Sequence, residues 1–90
     1  VSAKPRIEVV FRRGAPVMAF VHFDPERNGR TNRQIGISPP LVGHYDDSGR
    51  PSGLEIPLPL TVSLQRINEA LAELGRPPLT DLEIAPLRSG

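Results

Sequence analysis

Leu41-Val42-Gly43-His44-Tyr45-Asp46-Asp47-Ser48-Gly49-Arg50-Pro51-Ser52-Gly53-Leu54-Glu55-Ile56 is the most strongly patterned stretch of this chain. Two apolar-rich arms flank Asp46-Asp47-Ser48-Gly49, a segment in which the first carboxylate can accept backbone N–H groups and Gly49 can take a positive φ, so the stretch reads as a β-hairpin. The return arm alternates. Leu54, Ile56 and Leu58 fall on one side and Gly53, Glu55 and Pro57 on the other, which makes one face buried and one wet. Glu55, on the wet face, is expected to find a cross-strand partner in Arg50 or His44. Pro57 and Pro59 cannot donate to a ladder and place the end of this strand at an edge or beyond the sheet.

Upstream lies a second hairpin. Residues 7–11 (Ile-Glu-Val-Val-Phe) and 17–23 (Val-Met-Ala-Phe-Val-His-Phe) are rich in β-branched and aromatic side chains, and the segment 12–16 between them contains Gly14 and Pro16. Asp24-Pro25 ends the second strand. Residues 25–34 offer nothing to anchor a core and read as a solvated, mobile loop, in which Arg27, Arg30 and Arg33 form a candidate anion site through their forked guanidinium groups. Surface solubility is the plainer role for these arginines, because a spacing of three in a loop is no motif.

Downstream, Leu64, Ile67, Leu71 and Leu74 mark one face of an amphipathic helix over 62–74. Thr61 or Ser63 can cap its start, and Gly75 with Pro77-Pro78 stops it. In the tail, 79–90, Leu82-Glu83-Ile84 echoes Leu54-Glu55-Ile56, and the expectation is an extended arm or a fifth strand. The whole chain, 1–90, reads as a single α+β domain. Its sheet, over 7–59, is twisted and antiparallel, with two hairpins and four or five strands, and the C-terminal helix packs on one face.

Composition narrows the function classes. With 38% hydrophobic residues and a net charge of +1, the 11 prolines punctuate an ordered fold; they do not signal disorder. Aromatics make up only 4%, so a modest core must be built from aliphatic side chains, and a homo-oligomer is expected. The absence of cysteine excludes disulfides, thiolate metal sites and a cysteine nucleophile, and suits a cytoplasmic protein. No apolar run approaches the roughly 20 residues of a membrane span, and the first ten residues lack a signal-peptide core. A charge of +1 gives no global field to hold nucleic acid.

The hairpins together carry a family resemblance. Asp46, Gly49, Gly53, Leu54, Glu55 and Ile56 match the pattern of aspartate, two turn residues, glycine, three residues, glycine, aliphatic, glutamate and isoleucine. An aromatic-ended strand and a further apolar strand precede it here as they do there. Over residues 7–59 the chain thus resembles a family of small uncharacterised bacterial proteins, the domain of unknown function 2283. What the resemblance implies is a fold of antiparallel strands. That family has no established activity, so no active site transfers from it.

Two triplets, His22-Phe23-Asp24 and His44-Tyr45-Asp46, are the candidate metal ligands, because imidazoles and carboxylates suit divalent ions and residues i and i+2 of a strand face the same side. The competing structural reading is stronger. Each triplet ends a strand, and each aspartate has a turn to cap. Ser38, Ser48, Ser52 and Ser63 stand in no nucleophile-elbow context, and the glycines form neither a phosphate loop nor a dinucleotide fingerprint. With no catalytic set and no cofactor motif, the leading expectation is a non-catalytic accessory module that binds another protein. A sheet edge, the Pro-rich tail, or the extended segments 35–37 and 82–86 would serve it.

Overall fold

The structure is a computed structural model that describes residues 6–23, 33–37 and 40–88. Five strands form one antiparallel sheet: β1 (Arg6–Arg12), β2 (Ala15–His22), β3 (Arg33–Gly36), β4 (Val42–Tyr45) and β5 (Pro51–Pro57), in the spatial order β1-β2-β5-β4-β3. A 3₁₀ turn (Pro59–Thr61) leads into α1 (Leu64–Glu73), and α2 (Asp81–Arg88) follows. The α+β architecture expected from the sequence is the one observed.

Turn chemistry sets both hairpins. Arg13 and Gly14 adopt φ of 53° and 80°, the two positive values of a type I′ turn, so β1 and β2 extend to within two residues of each other. Between β4 and β5, Asp46 Oδ1 accepts the N–H groups of Ser48 (2.9 Å) and Arg50 (3.0 Å) and the Ser48 hydroxyl (2.6 Å), while Gly49 takes φ 84°. The carboxylate thus organises the turn as its position in the sequence implied. β5 is central, between β2 and β4. Pro57 is accommodated because the β4 ladder stops at Val42, opposite Glu55, leaving Pro57 paired with Met18 of β2 alone.

The core lies on one face of the sheet. Ala19, Val21, Leu54 and Ile56 point into it with Phe23 and Leu41, against Val62, Ile67, Ala70, Leu71 and Leu74 of the α1 region and Leu79 and Ile84 of the α2 region. Ser63 caps α1 by accepting the Arg66 N–H at 3.1 Å. At its end, the Gly75 N–H bonds to the Ala72 carbonyl and the Arg76 N–H to the Leu71 carbonyl, with Gly75 at φ 71°, a Schellman stop. Among the described residues no helix is long and apolar enough to cross a membrane.

Three expectations need correction. The tail is not a strand or an extended arm: residues 81–88 form α2. Thr80 Oγ1 accepts the Glu83 N–H (3.2 Å) and Glu83 Oε1 accepts the Thr80 N–H (2.9 Å), a reciprocal capping box that starts a helix. The fifth strand comes from Arg33–Gly36, so the expected loop gives up its last two residues to β3, and its residues 25–32 lie outside the described residues. Leu58 does not continue the buried row of Leu54 and Ile56. It turns out at φ 46° and is exposed as the chain leaves β5.

Candidate functional site

Both helices pack on the core face, and the opposite face gathers the chemistry-bearing side chains. Register places His22, Gly53 and His44 in one row across β2, β5 and β4, with Glu8, Phe20 and Glu55 in the next row across β1, β2 and β5. Residues directly opposite in an antiparallel pair share a face, so all these side chains project together. Each histidine meets a glutamate diagonally. His22 Nε2 and Glu8 Oε1 stand 3.0 Å apart, as do His44 Nε2 and Glu55 Oε1, with the imidazole donating in each pair.

The two pairs differ in environment. His44 is only 6% exposed although it stands on the face away from the helices, whereas Glu8 is open to solvent. The hydrogen bond from His22 holds the Glu8 carboxyl below its ordinary pKa, helped by the charges of His22 and Arg6. Phe20 stands between the pairs. Its ring centroid lies 4.5 Å from that of His22 and 4.7 Å from that of His44, the latter edge-on. The ring can lie there because residue 53 is glycine: a Cβ at that position would overlap the Phe20 ring and stand 2.8 Å from the Val21 carbonyl oxygen.

The structure therefore brings His22 and His44 onto one face, as a shared metal site would require, but with β5 between their strands and Phe20 between their rings. That separation is about 10 Å between strand axes. Asp46 is occupied in its turn, and Asp24 lies outside the described residues. Among the described residues no group of three His, Cys, Asp or Glu side chains is assembled to hold a metal. Arg27 and Arg30 also lie outside the described residues, and Arg33 opens edge strand β3. Sequence reasoning named His44 as a partner for Glu55. It missed Glu8 and Phe20, whose roles depend on register.

Exposed apolar residues also occur on both faces of the sheet around β1 and the chain's exit from β5. Exposed Val10 (42%) and Phe11 (50%) lie on β1, exposed Leu58 and Leu60 stand at and beside the 3₁₀ turn, and Leu82 (87%) lies on α2. These elements adjoin one another, since α2 contacts β1 and the 3₁₀ turn, and the 3₁₀ turn contacts β2. Ile35, on β3, is the exposed large apolar residue at the opposite edge. Comparison with family models, with curated proteins and with solved structures found no match for this chain. The resemblance to the domain of unknown function 2283 accordingly rests on its motif residues alone.

Proposed function

We propose that this chain is a non-catalytic accessory module that works by associating with protein through the outer edge of β1, which no other described strand pairs with. One observation carries the reading: a seven-residue edge strand bears exposed Val10 and Phe11 beside further exposed leucines, an arrangement suited to strand addition. Of the segments named from the sequence for this role, residues 81–88 are helical, and β3 forms the opposite edge but is four residues long with one exposed large apolar residue, Ile35, so β1 with Val10 and Phe11 is the stronger candidate. Homo-oligomerisation and a cytoplasmic setting belong to the same proposal. Purification of the tagged chain and of its Val10→Lys variant from native lysate tests it. The expected result is a mass above the monomer, or a stoichiometric partner, that Val10→Lys loses. A strict monomer at tens of micromolar that retains no partner under any growth condition would remove the proposal.

A metal-binding reading keeps one observation in its favour, the common face of His22 and His44. Calorimetry with Zn²⁺, Mn²⁺ and Ni²⁺ decides it. The expected result is no saturable binding, since each imidazole is held by a carboxylate and Phe20 fills the space between them. Saturable binding lost in a His22→Ala/His44→Ala variant would reinstate the site.

A further inference from the structure

We infer that the partner of β1 is β1 of a second copy of this chain, paired antiparallel about a two-fold axis at Val10. The inference rests on the association proposed above and adds its partner and register. Side-chain direction limits the choices first. Arg6, Glu8 and Val10 oppose His22, Phe20 and Met18, and alternation puts Arg12 on the same face, the one away from the helices. The bulge near the hairpin end places its extra residue on β2 and leaves β1 regular. A continuous sheet must set outward residues opposite outward residues, so the axis has to pass through a residue and not between two.

Charge then selects among those residues. An axis at Glu8 sets two carboxylates face to face, and an axis at Val9 sets Arg6 against Arg12 of the second copy; like charges directly opposite destabilise a pair. An axis at Ile7 sets Arg6 opposite Glu8 twice but pairs only Arg6 to Glu8 among the described residues of the strand and brings neither Val10 nor Phe11 against any of them, while an axis at Phe11 pairs no charges. An axis at Val10 sets Glu8 opposite Arg12 of the second copy twice, Val9 opposite Phe11 twice, and Val10 opposite itself. Glu8 Oε1 takes the His22 bond, and its other oxygen can meet the guanidinium. This register covers both exposed apolar residues of β1, Val10 and Phe11. Five paired residues per strand make a small interface beside the roughly 1,200 Å² of stable complexes, so a micromolar dimer is expected.

Charge exchange and cross-linking test the inference together. By analytical ultracentrifugation, Glu8→Arg and Arg12→Glu should each raise the dimer dissociation constant about tenfold or more, because two attractive pairs become repulsive. The double variant exchanges the charges and should recover the wild-type constant. The chain has no cysteine, so Val10→Cys should form a disulfide-linked dimer on mild oxidation, its two thiols being directly opposite. Glu8→Cys should not, since its two copies would lie about 13 Å apart along the strands. A dimer indifferent to the charge changes and without Val10→Cys cross-linking overturns the inference and leaves association by another surface standing. A wild-type monomer at several hundred micromolar overturns it too, and the association proposal then depends on a partner retained from lysate and lost with Val10→Lys.

Discussion

Glu8 and Gly53 show how single residues on the open face depend on their neighbours. Glu8 is held below its ordinary pKa by the His22 hydrogen bond, so the contribution of this pair is present above the unfolded carboxyl's pKa and is lost as pH falls through the folded one. An NMR titration of the Glu8 side chain should give a midpoint on the acid side of ordinary glutamate, and His22→Ala should move it back. An unchanged midpoint in that variant would show that Arg6, and not the imidazole, sets the shift. At Gly53 the constraint is steric. Gly53→Ala should destabilise the fold by about 1–3 kcal/mol in chemical denaturation, because the Phe20 ring and the Val21 carbonyl oxygen would both have to move. A neutral substitution would mean that the ring swings away freely. From sequence, Glu55 with His44 could be foreseen within one hairpin. Glu8 with His22 and Phe20 over Gly53 could not, since they require the bulged register of β2 against β1 and the placement of β5 beside β2.

Among the elements, α2 shows where sequence periodicity misleads. Leu82-Glu83-Ile84 copies the alternation of Leu54-Glu55-Ile56, and Pro86 argues against a helix, yet Thr80-Asp81-Leu82-Glu83 carries the spacing of a capping box. The local cap prevailed because tertiary structure supports it. Asn68 on α1 accepts the Leu79 N–H at 2.8 Å and donates to the Leu79 carbonyl at 3.2 Å, fixing the segment that inserts Leu79 and Ile84 into the core. Asn68→Ala should therefore cost about 1–3 kcal/mol by leaving two backbone groups without a partner, and Thr80→Ala about 1 kcal/mol. Hydrogen exchange should quicken over 79–88 in both variants while β2 and β5 stay protected. Equal acceleration across the sheet would show that α2 and the sheet unfold as one unit.

For the molecule as a whole, the hairpins, the two-sided sheet and α1 followed from alternation and turn chemistry, whereas strand order did not. Pro57 and Pro59 place only the last part of β5 at an edge or beyond the sheet, and the register agrees: β4 ends at Val42, opposite Glu55, so the missing N–H of Pro57 meets no neighbour although β5 is central. Placing β5 at the centre leaves β1 and β3 as the edges among the described strands, and the proposed association takes β1, which carries exposed Val10 and Phe11 where β3 carries Ile35. Stability should then depend on concentration. The core is aliphatic apart from Phe23, and a 90-residue chain has little surplus burial, so association should contribute measurably to the folded state by mass action. The thermal midpoint of the wild-type chain should rise as its concentration is increased about a hundredfold, by a few degrees if the dissociation constant is micromolar. Val10→Lys, which sets two ammonium groups at the two-fold axis without disturbing a buried side chain, should melt at one midpoint throughout. If the wild-type midpoint is equally flat, the monomer sustains the fold unaided, and the exposed row on β1 contributes nothing to stability.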